Sequence, residues 1–306
     1  MVLFIHKRSW HLRQVLRGIR AYRPSSLFIF ADGWDKRDLK EKKACQAARR
    51  LVKREVDWPC RTMFQFSTKK MGLKTNVEKG LCQVFSGVPA AIILEDDCVA
   101  SPEFFKFCEQ NLHRYRRNRK VMSLSGSCFV DEKISIPGRA YLSRYPHCWG
   151  WATWRRAWGK YQGELGTDTL QKILHRQFFP AQEKAHWSRI VLELGRGGIS
   201  SWAYFWIWAH WKNGARALTP AVNLVRNIGF DATARHTREL AKPLLVRTGN
   251  PRLALQGSVL SISMSEFLDR SVFQNHYRRM AGRRSWWEKI ADRFRLCLTR
   301  WRRAGG

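Results

Sequence analysis

Three consecutive acids, Glu95, Asp96 and Asp97, directly follow an apolar run at residues 90–94. Like charges this close repel one another, and each raises the pKa of its neighbours. A divalent cation relieves such repulsion, and carboxylates suit hard cations such as Mg²⁺ or Mn²⁺. The spacing alone leaves two alternatives open, a metal site that accepts nucleotide phosphates and a solvated turn.

Elements that could position these acids are visible in the first half of the chain. Short apolar runs at 2–5, 27–30, 62–66, 90–94 and 121–124 alternate with segments of helical periodicity. This alternation predicts an α/β fold with a doubly wound, mostly parallel sheet. Ligands of such sheets bind beyond the carboxyl ends of the strands, where Asp32 and the three acids fall.

The second half is rich in aromatic residues, above all at 141–158 and 202–211. Trp151, Trp154 and Trp158 fit one face of a helix, and a core role is favoured for the last two. Trp149, Gly150 and Trp151 are better explained as a ligand platform, because glycine allows the backbone to approach a ligand closely.

The net charge of +32 favours polyanionic partners, which include nucleic acid, an anionic membrane surface and phosphorylated substrates. The sequence contains no zinc-finger, helix-turn-helix or RNP-type signature, so no specific nucleic acid is expected. The N-terminal apolar run is too short for a signal peptide, and no apolar stretch reaches spanning length. These features predict a cytoplasmic protein, or one held peripherally on the cytosolic face of a membrane.

Several stretches carry a resemblance to known families. Residues 92–97 (IILEDD) followed by 101–105 (SPEFF) resemble the metal-binding segment of the N-acetylglucosaminyltransferase I family, which has the GT-A fold. Residues 149–158 (WGWATWRRAW) and 223–230 (NLVRNIGF) are similar to distinctive stretches of bacterial GT-A sugar transferases, some labelled haemolysin-like. The resemblance covers about the first 240 residues.

The resemblance implies a GT-A-like enzyme that transfers a sugar from a nucleotide-sugar donor, a UDP-sugar, with inversion. It implies Mn²⁺ or Mg²⁺ as cofactor and a cell-envelope glycan or lipid-linked acceptor. Asp97 would ligate the metal, while Glu95 and Asp96 would contact the ribose and order the loop. The other implied donor-side residues are Arg8, Asp32, Gly33 and Lys74.

On the acceptor side, the resemblance implies roles for Trp149, Gly150, Trp151 and Trp202. The relatives place a catalytic Asp directly after a Trp, but Ala203 stands at the matching position here and cannot accept a proton. Asp231 is the best-placed replacement base in the sequence. The alternatives are an acceptor that needs little help, or a protein that binds donor and transfers poorly.

One histidine follows this region. His236 has two alternative roles, contact with the diphosphate or metal and a purely structural one.

The sequence divides into a nucleotide-sugar-binding region at 1–130, an acceptor-side region of the same catalytic domain at 131–240, and a basic C-terminal extension at 241–306. Within the extension, residues 283–303 carry aromatic residues at helical spacing among many arginines. This pattern fits a helix in an anionic membrane interface or a terminal helix packed on the domain. The alternative function is a basic membrane- or nucleic-acid-binding protein with a GT-A fold and weak or no transferase activity.

Overall fold

The computed structural model describes residues 1–164, 172–174, 179–230 and 248–278 of the chain. Asp231, His236 and residues 283–303, on which three of the predictions depend, lie outside the described residues. The strands are β1 (Val2–Ile5), β2 (Ser26–Ala31), β3 (Arg61–Phe66), β4 (Ala90–Glu95), β5 (Cys98–Ala100), β6 (Val121–Ser125), β7 (Ala140–Ser143), β8 (Trp151–Trp154), β9 (Arg216–Pro220) and β10 (Val225–Asn227). The α-helices are α1 (Ser9–Tyr22), α2 (Leu39–Glu55), α3 (Leu73–Gly87), α4 (Pro102–Arg114), α5 (Arg155–Trp158), α6 (Ala181–Gly195), α7 (Trp202–Lys212) and α8 (Ile262–Val272).

Eight strands form one mixed sheet in the order β3-β2-β1-β4-β8-β6-β9-β7, and β5 pairs with β10 in a small second sheet. Strands β1 to β4 run parallel to one another, and β6 runs parallel to β9. Strand β8 runs antiparallel to both β4 and β6, and β7 runs antiparallel to β9. The predicted α/β fold with a mostly parallel sheet is therefore confirmed.

Local sequence explains the helices that follow β1 and β5. The apolar stripe Leu12, Val15, Leu16 and Ile19 of α1 is buried, as a period of 3.6 residues requires for one face. Helix α4 begins with a capped turn, in which the Ser101 hydroxyl accepts a hydrogen bond from the backbone N–H of Phe104 at 3.3 Å. Pro102 follows at the first helical position, where it needs no N–H partner.

Helices cover both faces of the sheet, as predicted for a doubly wound fold. Helix α1 packs against α2 and α4, while α3 packs against α5 and α7. Strand β8 contacts helices on both faces of the sheet. On one face, Trp154 Nε1 donates to Leu112 O of α4 at 3.0 Å. Trp151, on the opposite side of the strand, packs against Trp202 and Trp206 of α7.

The prediction that Trp151, Trp154 and Trp158 share one helix face is wrong. Trp151 and Trp154 lie in β8 and point to opposite faces of the sheet, and only Trp158 belongs to helix α5. A spacing of three residues suits a helix face, but a short strand buried on both sides gives the same run of apolar residues. The core role of Trp154 and Trp158 is confirmed, since both are buried.

Part of the predicted C-terminal extension packs against the edge of the large sheet. Val259 forms a parallel bridge with Ala140 at the start of β7. Asp269 of α8 accepts a hydrogen bond from Ser143 Oγ at 2.5 Å and another from the backbone N–H of Arg144 at 2.9 Å. Residues 248–278 thus belong to the body of the protein. No helix in the described ranges has the length and apolar character that crossing a membrane requires.

Candidate functional site

The three acids form a turn at the carboxyl end of β4, beside the end of β1. We call residues 95–97 the acid turn. Asp96 Oδ2 accepts a hydrogen bond from the backbone N–H of His6 at 2.8 Å, and Arg8 Nη1 donates to Asp97 Oδ2 at 2.9 Å. His6 and Arg8 both follow β1, which pairs in parallel with β4. The parallel register therefore brings the predicted residues Arg8, Asp96 and Asp97 together.

The acid turn carries more negative charge than its surroundings neutralise. Burial, followed by the charges of Asp97 and Asp96, raises the pKa of Glu95 to about 8, and Arg8 only partly opposes this. Burial and the charge of Asp97 raise the pKa of Asp96 to about 7, against the His6 N–H and Arg8. A bound cation would stabilise the ionised forms of both carboxyls.

A segment from the second half of the chain lies against the acid turn. The backbone N–H of Ile228 donates to Asp97 O at 2.9 Å, and β10 just before it pairs with β5 just after the acids. At Gly229 a side chain would overlap Asp97 Oδ2 and Arg8 Nη1, so any larger residue there would displace the ends of these two side chains. Two stretches singled out in the sequence, 92–97 and 223–230, thus form one structure.

Hydrogen bonds to Asp32 connect the turn after β2 to the loop before α3. Its Oδ1 accepts from the backbone N–H groups of Gly33 and Met71, both at 2.8 Å, and its Oδ2 accepts from Gly72 N–H at 2.9 Å. His6 Nε2 lies 3.3 Å from Gly33 O, which connects this turn to the acid turn. A contact of Asp32 or Gly33 with a nucleotide base stays a prediction.

Glu41, which the sequence analysis did not single out, is a buried ionic centre beside that turn. Its carboxylate binds Lys7 Nζ at 3.0 Å and Lys70 Nζ at 2.9 Å, and accepts from Asp35 N–H at 2.9 Å. Burial opposes ionisation, but these partners prevail and lower the pKa of Glu41 to about 2. The Asp38-x-x-Glu41 spacing, typical of a capping box, was a usable signal, and Asp38 does accept from Glu41 N–H at 2.8 Å.

Lys74 is placed by contacts away from the acid turn. Its Nζ pairs with Glu78 Oε1 at 2.8 Å one helical turn along α3, and lies 5.0 Å from the ring centroid of Phe205 in α7. Its predicted contact with the nucleotide stays a prediction.

The predicted acceptor-side residues separate into two groups. Trp151 and Trp202 stack with ring centroids 5.3 Å apart, and both are buried, so their indoles lie in the core and not at a surface open to a ligand. Trp149 is only half-buried and lies edge-on to Phe230, with centroids 5.2 Å apart. Gly150, between Trp149 and Trp151, has φ +63°, a left-handed conformation that favours glycine.

A cleft of about 250 Å³ opens beside Trp149. Ala203, the position at which the relatives place a catalytic Asp, lines this cleft. The remaining lining residues are Phe129, Pro146, His147, Cys148, Ser201, Tyr204, Ile207, His276 and Tyr277. Trp151 pairs with Ile93 of β4, so residues 148–150, which precede it, lie near the end of β4 that carries the acid turn. Burial and the Glu95 charge raise the pKa of the Cys148 thiol.

Within the described ranges, no three His, Cys, Asp or Glu side chains converge as a ready-made metal cage. Hard cations such as Mg²⁺ are commonly held by one or two carboxylates together with substrate phosphates and water. Asp97 has a partly exposed carboxylate, and the raised pKa values of Glu95 and Asp96 reflect their burial beside its negative charge. The residues therefore suit a cation that Asp97 shares with a bound diphosphate.

No family model and no curated protein matches the chain. Among solved structures, the chain is similar to a glucose-1-phosphate thymidylyltransferase from Bacillus anthracis, with a TM-score of 0.41 and 9% identity over 82% of this chain and 97% of that one.

Two structures of UDP-glucose pyrophosphorylase are also similar. The complex with UDP-glucose gives a TM-score of 0.27 and 12% identity, over 46% of this chain and 61% of that one. The apo form gives 0.34 and 8%, over 72% and 89%. Similarity at this level carries no argument about substrate or reaction. The resemblance to N-acetylglucosaminyltransferase I stays a prediction that depends on the sequence motifs.

Proposed function

We propose that this protein is a glycosyltransferase that transfers a sugar from a UDP-sugar donor to a glycan or glycolipid acceptor, with inversion. The observation that carries the proposal is the acid turn at the carboxyl end of β4, with Arg8 on Asp97 and the cleft nearby. This is the edge of a parallel sheet at which α/β proteins bind nucleotides. The motifs of the sequence analysis support the same assignment.

The donor side combines opposite charges in a way that suits a diphosphate. Arg8 supplies a guanidinium that can hydrogen-bond phosphate oxygens through two N–H groups. Asp97 would hold Mn²⁺ or Mg²⁺, and such a cation stabilises the charge that grows on a leaving nucleoside diphosphate. Asp32 and Gly33, tied to the 71–72 loop, would contact the uridine, while Glu95 and Asp96 would contact the ribose.

Transfer with inversion needs a group that takes the proton of the acceptor hydroxyl. Ala203 lines the cleft but has no such group, and Asp231 follows Phe230, which contacts Trp149 of the cleft. We assign Asp231 as the base and leave His236 as a candidate contact of the diphosphate or metal.

A donor screen tests the proposal. The protein is incubated with each common nucleotide sugar and Mn²⁺, with and without a mixture of cell-envelope glycans, and the nucleotides are separated by anion exchange. Release of UDP from a UDP-sugar, lost in Asp97→Ala and kept in Asp57→Ala, is the expected result. Asp57 is an exposed acid far along the chain from the acid turn and serves as the control.

The same assay separates glycosyl transfer from nucleotidyl transfer, the class of the similar solved structures. If the protein were a nucleotidyltransferase, addition of pyrophosphate to a nucleotide sugar would yield a nucleoside triphosphate and a sugar 1-phosphate. Formation of UTP without UDP would overturn the proposal in favour of nucleotidyl transfer. No nucleotide product from any donor, together with no UDP binding, would favour the basic binding protein.

We also propose that the protein is cytoplasmic and associates with the anionic cytosolic face of a membrane through residues 283–306. The support is the +32 net charge and the aromatic and basic pattern of that segment. Co-sedimentation with anionic and with neutral vesicles, for the full chain and for a chain ending at 282, tests this. Unchanged binding of the shortened chain to anionic vesicles would contradict it.

A further inference from the structure

The cleft beside Trp149 differs from the rest of the protein in its charge. Charged residues make up 26% of the chain. Among the described residues, none of those that line the cleft is Asp, Glu, Lys or Arg. An ionised group that entered would lose water without meeting a counter-charge, which is strongly unfavourable. The part of a ligand that fills this cleft is therefore uncharged.

Two histidines in the lining have hydrogen-bonding capacity that the described residues leave unused. Nε2 of His147 and Nδ1 of His276 are buried and have no hydrogen-bond partner among the described residues, and the two residues are only 5% and 9% exposed. The ring centroids are 5.4 Å apart, and both rings also contact Phe129. Buried polar atoms normally have partners, so an unpartnered pair in a cleft indicates a place for a ligand.

The state of these rings fits a neutral polar ligand. Burial lowers the pKa of His276 to about 3, and burial with the nearby His276 ring lowers that of His147 well below its usual range. A neutral imidazole has one N–H donor and one nitrogen acceptor, and a hydroxyl group can pair with either. Two adjacent imidazoles therefore match two neighbouring hydroxyls.

The apolar part of the wall is aromatic. Trp149 lies edge-on to Phe129 and Phe230, with centroids 5.2 Å away in each case, so its indole is held in place from two sides. A fixed indole offers a flat apolar surface beside the polar imidazoles. A few polar groups on an apolar wall are typical of a pocket that orients a small ligand.

We propose that this cleft is the acceptor subsite and binds an uncharged sugar residue, with Trp149 against the ring and His147 and His276 on its hydroxyls. The proposal rests on the proposed function, which requires an acceptor beside the donor. Phe230 connects the two places, since it contacts Trp149 and directly follows Gly229, which lies against Asp97. The absence of charged residues from the described lining excludes an acceptor whose bound sugar carries a carboxylate or phosphate.

Saturation-transfer NMR on the full chain with UDP and Mg²⁺ tests the subsite. The probes are the methyl glycosides of glucose, galactose, mannose and N-acetylglucosamine, with methyl glucuronide and methyl galacturonide as acidic partners of the first two. We expect at least one of the four neutral glycosides to bind, and both acidic glycosides to bind about tenfold or more weakly than it, because the carboxylate would be buried unpaired. This comparison needs no variant and so does not depend on one folding.

His147→Phe and His276→Phe keep an aromatic ring in place and remove the nitrogens. Each should weaken binding of the neutral glycoside about two- to tenfold, as for the loss of a hydrogen bond, whereas His113→Phe at an exposed position should not. Equal binding of neutral and acidic glycosides, no glycoside binding at all, or no effect of either cleft variant would overturn the subsite. UDP binding, measured in the same sample, distinguishes failure of the proposed function from failure of the subsite. Absence of UDP binding would count against the transferase, whereas UDP binding without glycoside binding would count only against the acceptor subsite.

Discussion

Trp149 lies edge-on to Phe230, with ring centroids 5.2 Å apart, and this contact joins the cleft to the acid turn. The connection continues through Gly229, whose backbone lies against Asp97 and Arg8. Two consecutive residues thus connect the sites: the backbone of Gly229 lies against Asp97, and the ring of Phe230 contacts the cleft wall. A change at Gly229 should therefore affect the donor side through simple overlap.

Gly229→Ala should weaken UDP binding in the presence of Mg²⁺ by about tenfold or more, because the added methyl group displaces Asp97 Oδ2 and Arg8 Nη1. Titration calorimetry measures the change. Gly87→Ala is the matched control, since a methyl group there meets no other atom within 4 Å. Equal UDP affinity in Gly229→Ala and the parent would show that this close approach has no role in donor binding.

Asp97→Ala should abolish the part of UDP binding that depends on Mn²⁺ and leave the fold intact. The carboxylate is partly exposed, and among the described residues it forms an ion pair with Arg8, so its contribution to stability is small, about 1 kcal/mol or less. Calorimetry with and without Mn²⁺, together with thermal unfolding, measures both effects. If the variant kept the parent's affinity for UDP with Mn²⁺, Asp97 would not be the metal ligand.

Stability should depend on pH through Glu95. The folded protein holds this proton up to a pKa of about 8, against a usual value of 4.5, so the native state binds more protons between these values. The free energy of unfolding contributed by Glu95 therefore falls as the pH rises from 4.5 through 8. Glu95→Gln cannot ionise, and its melting temperature should rise relative to the parent's between about pH 5 and pH 9.

Glu164→Gln, at an exposed position, is the control for this comparison. Mg²⁺ should stabilise the parent more at the upper end of the pH range, where the carboxyls of the acid turn are ionised. Parallel melting curves of Glu95→Gln and the parent across the range would contradict the raised pKa.

The base assignment predicts opposite results for two variants. Asp231→Asn should lower turnover at least about tenfold with donor affinity nearly unchanged, since general-base catalysis is worth about 10²–10⁴-fold. Ala203→Asp should not raise turnover if Asp231 already acts as the base. Steady-state kinetics of UDP release decides between them. A rise in turnover for Ala203→Asp with no effect of Asp231→Asn would mean that the base has been lost and not moved.

The tryptophan cluster around β8 should dominate stability on its side of the sheet. Trp206 is fully buried and packs against Trp151, Trp158 and Tyr161. Trp206→Ala should cost about 3–5 kcal/mol of unfolding free energy, as for other large core truncations. Trp10→Ala, at a residue 67% exposed, should change it by about 0.5 kcal/mol or less. Denaturant titration measures both, and equal losses would contradict the packing.

Much of the donor side could be predicted from local sequence. The runs at 2–5 and 90–94 differ from β1 and β4 by at most one residue, because each is apolar throughout and ends at polar residues. Parallel pairing then brings Arg8 to Asp97 without further information. Glu41 shows where this reasoning stops, because its lysine partners lie 34 and 29 residues away and no local pattern indicates them.

The acceptor side was less predictable for a related reason. His147 and His276 meet across 129 residues of chain. His147 begins the stretch 147–154, which resembles the Gly-Trp loop of the relatives, but His276 stands in no motif. Trp151 and Trp202 are indistinguishable by residue type from Trp149, yet only Trp149 reaches the cleft. Which tryptophan is buried depends on how β8 sits in the sheet, and this is decided by tertiary packing and not by spacing.

The position of β8 in the sheet affects how the protein folds during synthesis and whether it can be truncated. Residues 151–154 supply the strand between β4 and β6, so a nascent chain that has emerged only to residue 130 leaves the long edges of both strands unpaired. Open edges of apolar strands invite pairing with other chains. The acid-bearing strand therefore becomes protected only after translation has passed Trp154, and a fragment cut near residue 130 should aggregate instead of retaining the folded acid turn.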